Sequence, residues 1–351
     1  MSTIINGSSP SITFSDGSAQ TSATRPFLNR IINGNFVIDQ RNAGASVTPA
    51  SGSYTIDRWQ TVASQASKYS VQQNAGSITP PAGFNNYLGI TSLSAYTVGS
   101  SELFNFLQNI EGFNVADLGW GTANAKTVTL SFQVYSSLTG TFGGAFNNGG
   151  SRSYPFTYSI PTANTWTPIS ITVAGDTSGT WGKTNSNGIQ IWFSLGCGSS
   201  QSGTAGAWSG SNFVSATGAV SVVGTNGATF YITGVQLEVG STATSFDYRP
   251  YGTELQLCQR YYETVSVPRA SWTGRVVSGG TYARAGWGYA VVKRAIPTVT
   301  FTNYNRFAFP SSSPTLDSGV NNIDGSLYYI LANATSDDGF IQCTVIASAE
   351  L

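Results

Sequence analysis

"KTVTLSFQVY", residues 126–135, sets Val128, Leu130, Phe132 and Val134 on one side of an extended chain and Thr127, Thr129, Ser131 and Gln133 on the other. Successive side chains of a strand point to opposite faces, so this period of two marks a strand buried on one face. Comparable runs recur at "TPISITVAG" (167–175), "GIQIWFSLG" (188–196) and "ATFYITGVQLEVG" (228–240), each closed by Gly, Asn, Ser or Asp. Many strands joined by glycine-rich turns predict an all-β chain with an antiparallel jelly-roll sandwich over residues 29–250.

Two stretches read differently. In "SELFNFLQNIEGF" (101–113), Leu103, Phe106, Leu107 and Ile110 stand at three-and-four spacing behind Ser101, which predicts a short amphipathic helix or turn packed on the sandwich. "GTELQLCQRYYETV" (252–265) reads as a second helix or as a linker strand. The predicted organisation is an N-terminal segment and tether (1–28), the jelly roll (29–250), a linker (251–262) and a smaller C-terminal β-sandwich (263–351).

Composition narrows the function. Only 9% of the 351 residues are charged, balanced 16 against 16, and there are 40 glycines. A typical domain carries roughly 25% charge, so the polar surface here comes from Ser, Thr, Asn, Gln and Gly. Without a basic stripe for phosphates, nucleic acid is not an expected partner. Neutral partners, protein surfaces or sugars, are. No stretch of about 18 apolar residues is present to cross a membrane, and MSTIINGSSP lacks the basic and apolar regions of a secretory signal. Cys197, Cys258 and Cys343 are widely spaced and odd in number, which predicts buried or half-buried thiols rather than a disulfide framework.

Beyond residue 260 the texture changes. Arg260, Arg269, Arg275, Arg284, Lys293, Arg294 and Arg306 stand against Glu263 alone, whereas from residue 310 onward the charges are Asp317, Asp324, Asp337, Asp338 and Glu350. Such asymmetry predicts that the two halves face one another or a neighbouring subunit; a basic, aromatic patch for an acidic polysaccharide is the alternative. In "LDSGVNNIDGS" (316–326), Asp317, Asn321, Asn322 and Asp324 have the oxygens of a cation loop, yet Asx turns produce the same composition. The turn is the reading taken, and no metal is expected.

Several motifs together carry a resemblance: "NRIINGNFVIDQRNAG" from residue 29, "YTIDRW" (54–59), "GDTSGTWG" (175–182), "ATFYITGVQLEVGSTATSFDYRPYGTELQLCQRYY" (228–262) and "GGTYARAGWGYAVVKRAIPTVT" (279–300). From Asn29 to Leu351 the chain resembles a family of tailed-bacteriophage appendage proteins, tail-fibre, head-fibre and decoration-like, with carbohydrate-binding-module-like jelly rolls. The resemblance implies a virion structural protein, a homotrimer anchored to a tail or capsid protein by its N-terminus. It implies no catalytic set. Asp57 and Arg58 are expected to pair beside a core Trp59, and Phe246 with Arg249 to close the last jelly-roll strand.

The absence of histidine removes Ser-His-Asp and Cys-His catalysis and most zinc sites. A glycosidase needs only two carboxylates roughly 5 to 10 Å apart, but Asp39, Asp57, Glu102, Glu111, Asp117, Asp176, Glu238 and Asp247 form no recognisable pair. The expectation is a protein with no catalytic residues and no cofactor. Sugars stack on exposed aromatic faces, and the candidate contacts for a bacterial surface glycan are Trp181, Trp208, Trp272, Tyr282 and Trp287. Trp59 and Trp192 are assigned to the core. In "SITFSDGSAQTSA" (11–23), Ile12 and Phe14 alternate ahead of the turn dipeptide Asp16-Gly17, and a Ser/Ala/Thr tether follows. A strand too short to stand alone is suited to completing another protein's sheet, so these four residues are the expected virion-docking element.

Overall fold

The computed structural model describes residues 4–6, 11–13, 19–20, 28–266, 270–273, 282–307, 315–316, 321–331 and 338–351. At the N-terminus β1 (Ile4–Asn6), β2 (Ser11–Thr13) and β3 (Ala19–Gln20) form a local antiparallel meander. Its middle strand is β2, with Ile12 opposite Ile5 on one side and Gln20 on the other. Both edges of the expected docking strand are therefore occupied within its own segment, and among the described residues β1 and β3 are the outer strands of this sheet. Phe14, Asp16 and Gly17 lie outside the described residues.

The jelly roll opens with β4 (Tyr54–Ile56), β5 (Trp59–Ala63), β6 (Tyr69–Gln73), β7 (Leu88–Ser92) and β8 (Leu103–Glu111). It continues through β9 (Val128–Ser136), β10 (Gly140–Asn147), β11 (Ser153–Ile160), β12 (Thr167–Val173) and β13 (Asn187–Cys197). A short parallel pair, β14 (Ser202–Gly203) and β15 (Ser215–Ala216), precedes the long β16 (Thr229–Val239). Six strands make one antiparallel sheet in the order β11-β10-β13-β8-β5-β4, and five make the other in the order β12-β9-β16-β7-β6. From β7 to β10 each strand changes sheet, as a jelly roll requires.

The expected alternation is present. Val128, Leu130, Phe132 and Val134 all enter the core between the sheets. There the rings interdigitate: Phe106 stacks on Phe193 at 5.0 Å, and Phe132 meets Phe193 edge-on at 5.2 Å. The helix expected over 101–113 is instead β8, paired with β13 and β5 in the middle of the six-stranded sheet. Phe104, Phe106 and Ile110 enter the core, while Asn105 donates to the Val214 carbonyl at 3.3 Å on the far side. A strand covered on both faces reads as one continuous apolar and amide run, and its period is lost. Trp192 is corrected too. Its neighbours Ile191 and Phe193 occupy the core, so its indole lies half-buried on the outer face, bonded to Gln190.

After the sandwich come α1 (Tyr251–Gln259) and β17 (Tyr262–Ser266), so the 252–265 run holds both a helix and a strand. The remaining strands are β18 (Ala270–Thr273), β19 (Tyr282–Gly288), β20 (Thr298–Phe307), β21 (Thr315–Leu316), β22 (Gly325–Leu331) and β23 (Asp338–Ser348). β23 is central: β17 and β18 share one edge and β20 takes the other, while β19-β22-β21 form a second antiparallel sheet. Trp287 on β19 meets Phe301 on β20 edge-on at 6.2 Å, which ties the two sheets together. In the acidic loop Asn322 accepts from the backbone of Asp324 and Gly325, an Asx turn.

The motif residues converge on the joint between the jelly roll and this C-terminal unit. Asn33, in the left-handed region at φ 58°, donates to the carbonyls of Ile38 and Asp57, and its own carbonyl accepts the Trp59 indole N–H at 3.0 Å. Gly34 lies so close to the Val235 carbonyl that a β-carbon there would collide with it. Glu254 on α1 accepts the Asn33 N–H, and Arg249 holds the carbonyls of Asn29 and Ile31. Arg58 does not pair with Asp57. It bonds Glu350 and the Asn109 carbonyl and lies 3.5 Å above the Tyr261 ring. Asp57 instead accepts the backbone and side-chain N–H groups of Gln40 at 2.7 and 2.6 Å. Among the described residues, Arg260 grips Glu111 of β8 and Glu350 takes Arg41 and Arg58 across the joint, while Lys293 pairs with Glu263 within the C-terminal unit.

Candidate functional site

The five-stranded sheet carries the candidate site on its outer face. Since Leu130, Phe132 and Val134 of β9 enter the core, Ser131, Gln133 and Tyr135 face outward; by the same rule Phe230 and Ile232 send Tyr231 outward from β16. A cleft of about 380 Å³ opens here. Ser131 and Gln133 from β9, Ser170 from β12 and Gly234 from β16 form its floor. Phe84, from the loop after β6, and Thr244, Phe246 and Tyr248, from the segment after β16, form its walls. No charged residue lines it.

The walls are aromatic and mutually braced. Phe84 meets Phe246 edge-on at 5.2 Å, Phe246 meets Tyr248 edge-on at 4.9 Å, and Phe84 lies 5.6 Å from Tyr248. Gly234 sits at φ +63°, and a β-carbon on it would come within 2.6 Å of the Phe84 ring. Glycine both allows the turn of the backbone and leaves room for the wall. Tyr248 remains 54% exposed, which makes it the wall's accessible face. Burial raises its phenol above the ordinary value, so it stays a protonated donor at neutral pH.

Polar groups on the floor are uncommitted. The side chains of Ser131, Gln133 and Ser170 make no hydrogen bond to other described residues, and all three retain exposure. Farther along β9 the cleft runs into an aromatic shelf. Tyr135 stacks on Tyr231 at 5.4 Å, and Trp166 packs against Tyr135 and Tyr87 at 5.6 Å each. The Trp166 indole donates to Thr79, so the loops before β7 and before β12 are held together over this end of the sheet.

The aromatic residues chosen from the sequence lie elsewhere. Trp181 is only 6% exposed, donates to the Ser178 carbonyl and stands edge-on to Trp120 at 4.8 Å, so it is a core residue rather than a loop platform. Trp208 is half-buried, with edge contacts to Trp120, Trp181 and Tyr154 and its N–H on the Ala174 carbonyl. Trp287 is buried between the C-terminal sheets. Trp272 lies on β18 and Tyr282 on β19. Trp181 and Trp208 meet edge-on at 5.5 Å in the jelly roll, whereas Trp272, Tyr282 and Trp287 stand on strands of the C-terminal unit. Phe84, Gln133, Phe246 and Tyr248 went unnoticed as a site because alternation reveals which residues point outward without revealing which outward face is left open.

The carboxylates are occupied with structure. Asp176 chelates Arg152 at 2.6 and 2.7 Å, Asp117 grips Arg30, and Glu111 binds Arg260 and Tyr261. Asp39 caps the turn at Asn42 and Gly44, Glu102 holds Gly99 and Tyr96, and Asp247 takes the Asn29 N–H.

What is defined is thus a β-sandwich with an open, uncharged, aromatic-walled cleft on one sheet. Neither a protein-family model nor a curated protein matches the sequence. Among solved structures, the chain is similar to the enzymatically active domain of bacteriophage CBA120 tailspike protein 4, with 13% identity over 62% of this chain and a TM-score of 0.33. The match spans 22% of that domain's own length. It is also similar to the family 11 carbohydrate-binding module of Clostridium thermocellum in complex with a β-1,3-1,4-mixed-linked tetrasaccharide, with 13% identity, 57% and 98% of the two chains and a TM-score of 0.29. A third is the CBM22-1 xylan-binding domain from Paenibacillus barcinonensis, with 10% identity, 58% and 99% coverage and a TM-score of 0.27. Likenesses this distant assign no ligand, residue or assembly to the chain.

Proposed function

We propose that this chain is a non-catalytic glycan-binding protein that takes a neutral saccharide in the cleft on the outer face of its five-stranded sheet. One observation carries the reading: a cleft without charge joins aromatic walls to uncommitted hydroxyl and amide groups on its floor. Sugar rings offer an apolar face for Tyr248 and Phe84 and hydroxyls for Gln133, Ser131 and Ser170. A uronate or phosphate would find no cation there. An aromatic contact is worth roughly 1 kcal/mol, so Phe84→Ala combined with Tyr248→Ala is expected to weaken retention in native gels containing neutral polysaccharide by about thirtyfold, since about 1.4 kcal/mol is tenfold. Trp208→Ala, whose edges are already covered, leaves retention unchanged. Equal retention of the double variant and the wild type sinks the site.

The same proposal places the protein on a tailed-phage virion as a homotrimeric appendage on a tail or capsid, with weak sugar contacts multiplied by copy number. Its support is the sequence resemblance together with the N-terminal meander. Because β2 is already paired on both sides, docking falls to the edges of β1 and β3. Deleting residues 1–24 is expected to leave a folded protein absent from purified particles; normal incorporation overturns the docking role. Copy number per particle separates the two placements, hundreds for a capsid decoration and a handful for a tail fibre.

A further inference from the structure

Glu238 lies at the end of β16 with 1% exposure, and Gln236 beside it has none. Two residues apart on the outer face, they form a buried polar pair with no part in the interior core. The Glu238 carboxylate accepts the Gln236 amide at 2.9 Å and, at 2.8 Å each, the Thr244 backbone N–H and hydroxyl. Gln236 in turn donates to the Ser245 carbonyl at 3.3 Å and accepts the Asp247 N–H at 2.8 Å. Every one of these loop partners belongs to residues 244–247, the stretch that places Phe246 and leads into Tyr248.

From this geometry we infer that Glu238 and Gln236 are positioning residues that fix the cleft wall for recognition, an inference that rests on the saccharide reading of the cleft. Neither touches the space a ligand would fill. The wall segment has no regular secondary structure of its own, so beside the ring contacts among Phe84, Phe246 and Tyr248 it is held by this staple and by Asp247 on the Asn29 N–H. Ordering a loop in advance removes an entropic cost from binding. A carboxylate suits the task because its two oxygens accept, and both Thr244 groups that reach it, the backbone N–H and the hydroxyl, can donate. Glutamine at the same place keeps one acceptor oxygen for Gln236 and the Thr244 N–H, and its amide can donate to the Thr244 hydroxyl.

The test pairs amide hydrogen exchange with native gels containing galactan, xylan, mixed-linked β-glucan, mannan or dextran. In Glu238→Ala, exchange across residues 241–248 is expected to rise about tenfold while the sandwich strands keep wild-type protection, and retention falls about tenfold. Glu238→Gln restores both. Thr244→Val, at an exposed position that does not threaten folding, moves both readouts in the same direction by a smaller amount. Wild-type exchange over 241–248 in Glu238→Ala and Thr244→Val overturns the staple. A loosened wall with undiminished retention overturns its part in recognition. Failure of the wild type to be retained by any gel overturns the saccharide reading and with it the recognition role, whereas exchange still decides whether the wall is stapled.

Discussion

Arg58→Ala is expected to lower the stability of the folded chain by about 3–5 kcal/mol, the range for removing one partner of a buried ion pair. Arg58 is 1% exposed, and its guanidinium is shared among Glu350, the Asn109 carbonyl at 2.5 Å and the face of Tyr261. Burial opposes its charge, but Glu350 and the phenols of Tyr261 and Tyr54 more than offset this, and it holds its proton more tightly than an ordinary arginine. Truncation leaves the Asn109 carbonyl without this donor and strips the Tyr261 ring. In Arg58→Ala, Glu350 retains Arg41 at 2.6 Å, whereas Glu350→Gln removes the counter-charge of both arginines and leaves the buried Arg58 cation uncompensated, so it should cost at least as much as Arg58→Ala. The urea midpoint, converted through the slope of the transition, reads the difference. A loss under about 1 kcal/mol, the level of an exposed pair, would mean that the joint is not held by this cluster.

Stability is also expected to fall as pH rises from about 4.5 to 6.5, against the usual acid sensitivity of carboxylates. Burial pushes the Asp57 carboxyl up to about 6 from 3.8, in spite of Arg41 and the two Gln40 N–H groups that favour its ionised form. Between those values the folded chain keeps a proton that the unfolded chain has released, so raising the pH favours unfolding. At about 1.36 kcal/mol per unit the total approaches 3 kcal/mol. Glu111 acts oppositely: burial raises its value, but Arg260 and Tyr261 more than reverse this, and its contribution is lost only as pH drops below the ordinary carboxylate range. The two windows therefore separate. Asp57→Asn, whose carbonyl still accepts the Gln40 backbone N–H, should flatten the profile between pH 4.5 and 6.5. Urea midpoints that rise over that interval, or a slope that survives in Asp57→Asn, would show that Asp57 ionises normally.

Both effects belong to a joint that the sequence displayed as scattered motifs. Asn33, Gly34, Arg58, Trp59, Arg249, Glu254 and Tyr261 looked like separate family markers, and an Asp57–Arg58 pair was the natural reading of adjacent opposite charges. In the structure Arg58 sits at φ 71° at the tip of the β4–β5 hairpin, turned toward Glu350, which lies 292 positions away. A two-residue turn sends neighbouring side chains apart, and no local rule supplies the distant partner.

The sandwich was legible in the sequence, because a strand with one buried face must alternate, and Val128, Leu130, Phe132 and Val134 of β9 alternate with polar residues. The sequence also rules out histidine-dependent catalysis, since the chain has no histidine. Tertiary structure alone decided that residues 103–111 are a strand, because burial on both faces erases the period that would reveal it. It alone decided the site as well. Ser131 and Gln133 stand on the polar side of β9 as plainly as Thr129 does, yet Thr129 is buried against Gly240 while the other two look into a cleft. Which outward face stays open depends on where the loops of Phe84 and Tyr248 come to rest, and the ring contacts that set Phe84 against Phe246 and Tyr248 join segments far apart in the chain.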